Sequence, residues 1–215
     1  MPPSRPDAAL NRLDGQVGSA LGIANLVKGR SARAVQVRNV LVESSALRIF
    51  GSWEGFLEQC FLGFVMGEKT SEGYGPPSRY HPENLQSAID LVSGPRGYFE
   101  WGNPDMVTER SRHLFGDDGL TLTRPLVDIK ADLIRFRKLR NRIAHVSIKS
   151  DQDFEALVRE IYGSVGLGTA PAELLTATFD RRMMVSVTNP RGSSLLEAYS
   201  DMVKALARIM LRKGP

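Results

Sequence analysis

Apolar residues recur at three- and four-residue intervals along most of the chain, the pattern of amphipathic α-helices. This spacing predicts a first helix over about residues 7–27 and a longer one over about 31–66, with Ser31 as its N-cap. Further helices are predicted from about residue 82 and over about 104–114, 123–145, 151–162 and 193–212. The chain is therefore predicted to be all-α, as a helical bundle.

Three segments depart from this helical pattern. Residues 67–82 and 93–124 are rich in glycine and proline and are predicted as irregular insertions. The short helix predicted from about residue 82 follows the first insertion, and the one over about 104–114 lies within the second. Residues 178–189 are β-prone near their end and predict a single strand or an extended loop. The length of 215 residues fits one domain, so we predict a single helical domain over residues 1–215.

Composition narrows the classes of partner and site. The formal net charge of +4 fits either an anionic partner or an ordinary basic surface. Cys60 is the only cysteine and the histidines are scattered, so we expect no disulfide, no structural metal site and no cofactor. This cysteine usage suits a reducing cytoplasm, where we expect the protein. No apolar run approaches the roughly 18 residues of a membrane span, so no membrane-spanning helix is expected.

The densest positive segment of the chain lies late in the helix predicted over 123–145. Six basic residues fall within residues 130–142, namely Lys130, Arg135, Arg137, Lys138, Arg140 and Arg142. Arg135, Lys138 and Arg142 are separated by three and four residues and therefore share one helix face. This face is a candidate surface for an anionic partner, and the resemblance of the segment that follows to a known family implies that this partner is RNA.

Arg140 occupies a different face, between Phe136 and Ile143, where the stripe would otherwise be apolar. A guanidinium on a half-buried face costs free energy unless an anionic group meets it. Asn141 and His145 are four residues apart and lie one helical turn from each other on a neighbouring face. Fraying of the helix end would bring His145 toward Arg140, so these side chains are candidates for chemistry on a phosphate.

Structural interpretations of the same residues stay open. A helix rich in Lys and Arg is commonly a solvated face, and a histidine near a helix C-terminus is commonly a partner of the helix dipole. Arg140 could pair with a core carboxylate such as Glu54 and stabilise the fold alone. Spacing by itself does not separate these interpretations from catalysis.

The segment Leu139-Arg140-Asn141-Arg142-Ile143-Ala144-His145 resembles the signature of the HEPN superfamily (higher eukaryotes and prokaryotes nucleotide-binding proteins). That signature is an Arg followed by a polar residue and, after four to six residues, by a His. The earlier segment 52–57, with Glu54 near aromatic residues, is similar to an early-helix pattern of the same superfamily. The resemblance covers about residues 33–163, which would form the core of a HEPN-like domain, with the helix over about 193–212 outside it.

The resemblance implies a bundle that dimerises through the motif helices and cleaves RNA without a metal ion. In such members the ribose 2′-OH attacks the adjacent phosphate and leaves a 2′,3′-cyclic phosphate and a 5′-OH. Arg140 and His145 would be catalytic, since a guanidinium stabilises the transition-state charge and an imidazole transfers protons. Asn141 would orient His145 or the phosphate, and Glu54 would support Arg140 or His145. Dimerisation would supply a second histidine as the complementary acid.

The resemblance leaves more than one function open. The chain is expected to be a homodimeric endoribonuclease of toxin or defence type that acts on RNA. An antitoxin or a regulatory protein is a candidate partner. Some members that act with a nucleotidyltransferase antitoxin have a Tyr two residues after the His; Ser147 stands there in this chain, so that arrangement is not supported. The alternatives are a non-catalytic RNA- or protein-binding module of the same fold, and a subunit active only with a partner.

Overall fold

The computed structural model describes residues 3–94, 97–163, 170–180, 182–184 and 193–212. Within these residues the secondary structure is helical, with no β-strand, which confirms the predicted all-α class. The helices are α1 (Arg5–Ala24), α2 (Ala32–Val65), α3 (Leu85–Ser93), α4 (Pro104–Phe115), α5 (Asp117–Asp128), α6 (Lys130–Ala144), α7 (Ile148–Tyr162), α8 (Pro171–Thr176) and α9 (Leu195–Met210). In the described part of the chain, none of them combines the length and apolar character needed to cross a membrane.

Side-chain caps explain where several helices begin. The Ser31 hydroxyl accepts the Ala34 N–H at 3.2 Å, which confirms the predicted N-cap of α2. The Asn103 side chain accepts the Asp105 N–H at 3.2 Å, and Pro104 occupies the first turn of α4 as predicted. These starts depend on residues adjacent in sequence, and a local pattern therefore identifies them.

The prediction of one helix over 123–145 was wrong at its start. The structure has α5 and α6 instead, separated at Ile129, whose φ of −117° and ψ of 20° interrupt the helix. Pro125 lies inside α5 rather than in a first turn. Proline has no N–H, so α5 lacks the helical hydrogen bond from residue 125 to the carbonyl four residues earlier.

The prediction of an irregular insertion over residues 93–124 was also wrong after Gly116, because residues 117–124 belong to α5. Gly116 has a φ of +66° and forms the sharp corner between α4 and α5. Gly119 then packs against Ser111 of α4, and a Cβ on Gly119 would overlap the Ser111 carbonyl. The Ser111 hydroxyl donates to the Gly119 carbonyl at 2.8 Å, so the glycine permits a close contact between the two helices.

The C-terminal part of the chain follows the predictions only in part. Helix α7 ends at Tyr162, where Gly163 adopts a left-handed φ of +75°. Of the predicted strand or loop over 178–189, Thr178 forms an isolated antiparallel bridge with Ser194. Residues 181 and 185–189 lie outside the described residues, as do 164–168. Helix α8 had not been predicted.

The chain divides into two compact units. Unit 1 contains Met1–Asp14, Ser52–Lys130 and Lys204–Pro215, and unit 2 contains Gly15–Gly51 and Ala131–Val203. The prediction of a single domain over 1–215 stays a prediction.

Unit 1 has an aromatic core. Phe61 meets Trp101 edge to face at a centroid distance of 5.0 Å and Phe115 at 5.6 Å. The ring of Trp101 also contacts Phe99 at 4.7 Å. Such edge-to-face pairs stabilise a core beyond the burial of their area.

Unit 2 contains the predicted motif and has a smaller aromatic column. Phe136 of α6 stacks on Tyr199 of α9 at 4.2 Å and meets Phe50 of α2 edge to face at 5.1 Å. Phe136 and Tyr199 are buried at 1% relative exposure each, so this column fixes the rotation of α6. The rotation of α6 in turn decides which way Arg140 points.

Candidate functional site

The C-terminal end of α6 brings the predicted catalytic residues together. His145 directly follows Ala144, the last residue of α6, and its N–H donates to the Asn141 carbonyl at 2.9 Å. The backbone therefore keeps helical spacing as far as His145. Arg140, Asn141 and His145 consequently lie within about one and a half helical turns, and their proximity does not require the fraying that was expected at the helix end.

Arg140 directs its guanidinium toward the other two predicted catalytic side chains. Its Nη1 donates to Asn141 Oδ1 at 3.0 Å and lies 3.4 Å from His145 Nε2. A guanidinium can only donate hydrogen bonds, so this contact requires an unprotonated Nε2 on His145. An amide and a neutral imidazole do not cancel the charge of Arg140, which remains able to attract an anion.

The aromatic ring of Phe50 packs against the Arg140 guanidinium. Arg140 Cζ lies 5.5 Å from the ring centroid of Phe50, within the range of cation–π contacts. Phe50 in turn packs on Phe136. The sequence analysis missed Phe50, because it is one of several apolar residues on a long helix and nothing local distinguishes it.

The loop after α6 holds the backbone of His145 while leaving its ring exposed. The Ser150 hydroxyl donates to the His145 carbonyl at 2.7 Å. Ser147 and Ser150 form a reciprocal capping box at the start of α7, with N···O distances of 3.2 and 3.1 Å. The predicted start of this helix near residue 151 is thus too late by three residues, since Ser147 caps it. The spacing Ser-x-x-Ser was a visible signal.

Arg142 and Lys138, two of the predicted RNA-binding residues, are both partly exposed on α6. Arg142 Nε lies 2.9 Å from Asp151 Oδ1 in an ion pair that lacks the alignment of a hydrogen bond. Both side chains keep exposed surface, so their predicted contact with RNA stays a prediction.

Arg135, the third member of that predicted face, is buried and bonded to protein groups. Its Nη2 lies 2.5 Å from Glu160, and its Nη1 donates to the carbonyls of Met183 and Arg182 at 3.2 and 3.3 Å. Nη1 is also 3.7 Å from the carboxylate of Asp132, which is fully buried. These contacts give Arg135 a structural role, and we leave it out of the RNA-binding surface.

Glu54 lies half-buried on α2 and belongs to unit 1, whereas Arg140 and His145 belong to unit 2. Its predicted support of Arg140 or His145 stays a prediction. Within unit 2, the groups that do hold the two residues are Asn141, Phe50 and Ser150.

Tyr199 and Asp180 are among the titratable groups of unit 2 whose pKa values are shifted. Burial raises the pKa of the Tyr199 hydroxyl, and the Asp132 carboxylate raises it further, so this phenol stays neutral. Hydrogen bonds from the Arg182 side chain and backbone lower the pKa of Asp180 from 3.8 to about 2. None of the hydrogen bonds described above joins Tyr199 or Asp180 to Arg140 or His145.

The described residues include no cluster of three or more His, Cys, Asp or Glu side chains that could hold a metal ion. At the end of α6, the side chains that the structure brings together are a guanidinium, an amide and an imidazole. Comparison with known proteins finds no matching family model, and no curated protein or solved structure with significant similarity to this chain.

Proposed function

We propose that the protein is a HEPN-type endoribonuclease that cleaves RNA by metal-independent transesterification. The observation that supports this most directly is the 3.4 Å separation between Arg140 Nη1 and His145 Nε2 at an exposed helix end. A guanidinium and a neutral imidazole at this distance can act on one phosphodiester. Toxin or defence activity is the setting that we propose for such an enzyme.

In the proposed reaction, the Arg140 guanidinium turns from His145 to the phosphate, which frees the lone pair of His145 Nε2. That nitrogen accepts the proton of the ribose 2′-OH, and the 2′-oxygen attacks the adjacent phosphorus. Arg140 donates to the non-bridging oxygens and stabilises the added negative charge of the transition state. The bond from phosphorus to the 5′-oxygen breaks, and that oxygen receives a proton from a second imidazole. The products are a 2′,3′-cyclic phosphate and a 5′-OH.

The second imidazole would come from His145 of a second copy of the chain. Next to His145, the side chains of Val146 and Ile148 are 93% and 80% exposed. Large exposed apolar side chains beside a polar site are typical of a protein interface. A two-fold dimer through this segment would cover them and would place two Arg140–His145 pairs in one groove.

The test is cleavage of a defined RNA by the purified protein in the presence of EDTA. His145→Ala and Arg140→Ala should each lower the rate by at least about 100-fold, because each removes a proton-transfer or charge-stabilising group. Product analysis should find 2′,3′-cyclic phosphate ends. An RNA with a single 2′-deoxy sugar at the scissile position should stay intact.

His81→Ala is the matched control, since His81 is an exposed histidine outside the site. Its activity should equal that of the wild type. Cleavage retained by His145→Ala or Arg140→Ala would refute the proposed mechanism. Tight, salt-dependent binding of RNA that stays intact would favour the non-catalytic alternative.

A further inference from the structure

Unit 2 contains a cavity of about 400 Å³ whose lining includes none of the residues proposed for RNA cleavage. Its walls come from the end of α1, the first half of α2, helix α8 and the start of α9. The volume is within the range of small-molecule sites. The cavity is thus large enough for a ligand of several heavy atoms.

Arg38 of α2 gives this cavity a specific polar feature. Its Nε is buried, and no acceptor among the described residues hydrogen bonds to it. A buried donor without a partner costs free energy, and a charged donor costs more than a neutral one. Because water does not reach Nε, an acceptor on a bound ligand would meet it only after a rotation of the Arg38 side chain, and that contact would remove the cost.

The charges of the lining favour an anion. Among the described residues of the lining, Arg38 and Lys28 are cationic and Glu197 is the one acidic residue. The Glu197 carboxylate already accepts the Ser194 N–H at 2.7 Å and the Ser194 hydroxyl at 3.0 Å. The acidic group is therefore engaged at the start of α9, and the net charge of the lining is positive.

The remaining lining divides into hydroxyl groups and aliphatic side chains. Thr176, Thr178 and Ser194 add hydroxyl groups, of which those of Thr176 and Ser194 already donate within the protein, to the Ala172 carbonyl and the Glu197 carboxylate. The aliphatic wall contains Leu21, Val27, Val42, Leu175 and Leu196. A ligand that fits both parts has an anionic oxygen head and a short apolar body.

We propose that this cavity binds a small organic oxyanion, a phosphate monoester or a carboxylate, with the anionic oxygens on the Arg38 guanidinium. The aliphatic wall holds the hydrocarbon part of the ligand. Lys28, at the exposed edge of the cavity, adds long-range attraction. The proposal does not depend on the nuclease function.

Isothermal titration calorimetry of the full chain with monobutyl phosphate, inorganic phosphate and butanoate tests the proposal. Monobutyl phosphate should bind at least about tenfold more tightly than inorganic phosphate, because its methylenes leave water. Arg38→Gln should weaken monobutyl phosphate by at least about tenfold, because it removes a charge-assisted hydrogen bond. Butanoate binding more tightly than monobutyl phosphate would support the site and identify its head group as a carboxylate.

Arg33→Gln is the matched control, since Arg33 is exposed on the same helix and its loss changes the net charge equally. The affinity of the Arg33→Gln variant for monobutyl phosphate should stay within about twofold of that of the wild type. In the wild-type protein, the NMR signal of the Arg38 Nε–Hε group should shift as monobutyl phosphate is added, so the test does not depend on the folding of the variant.

Any of three results would overturn the proposal. These are no saturable binding of monobutyl phosphate or butanoate up to about 10 mM, equal affinity in Arg38→Gln and wild type, or an unchanged Arg38 Nε–Hε signal at saturation.

Discussion

Replacing Arg135 by Met separates a structural role from an RNA-binding one. Methionine preserves most of the aliphatic volume of arginine but removes its charge and all of its hydrogen-bond donors. In the structure those donors reach Glu160 and the Met183 carbonyl, and the charge lies 3.7 Å from buried Asp132. We therefore expect Arg135→Met to lower the free energy of unfolding rather than only the affinity for RNA.

The magnitude follows from the burial of each partner. Glu160 is about half exposed, so water screens its pairing with Arg135 and the loss there is small. The Asp132 carboxylate is fully buried, and removing one partner of a buried ion pair costs about 3–5 kcal/mol. The hydrogen bonds to backbone carbonyls add about 1 kcal/mol each. With allowance for relaxation, we expect a loss of about 3–5 kcal/mol.

Urea unfolding followed by circular dichroism measures this loss, with Lys138→Met as the matched control. Lys138 lies on the same helix and is partly exposed, so its replacement should change the free energy of unfolding by no more than about 0.5 kcal/mol. A loss below about 1 kcal/mol in Arg135→Met, together with weaker RNA binding, would refute the structural role that we assign to Arg135.

Three further predictions concern the site and its surroundings. Ser150→Ala removes the capping box and the hydrogen bond to the His145 carbonyl. It should lower the free energy of urea unfolding by about 1 kcal/mol and slow RNA cleavage, and unchanged values would contradict both roles. The double variant Val146→Glu and Ile148→Glu should shift light-scattering mass from dimer to monomer, and an unchanged mass would remove the proposed interface. Asp180 is stabilised in its charged form, so its contribution to stability is present above pH 3.8 and is lost as pH falls through about 2; an NMR titration midpoint near 3.8 would contradict this.

Local features of the sequence were sufficient for most helices and for the predicted catalytic set. Helical periodicity and caps such as Ser31 and Asn103 depend on residues within a few positions of one another. The proximity of Arg140, Asn141 and His145 also follows from local spacing, because residues four and five positions apart lie close together at the end of a helix. These are properties that a single chain segment determines by itself.

Other features depended on contacts between residues far apart in the sequence. Arg135 has the same local spacing as Lys138 and Arg142, yet its partners lie 25 and 48 residues away at Glu160 and Met183. No periodicity in α6 encodes those partners, so the sequence alone placed Arg135 on an exposed face.

The support of Arg140 by Phe50 and the burial of the Nε atom of Arg38 likewise required the packing of separate helices. Burial is decided by which elements meet, and the free energy of a charged side chain depends on that burial. The sequence by itself therefore determined the helices and the close spacing of the motif, whereas the tertiary structure decided which charged groups are buried and which remain open to a ligand.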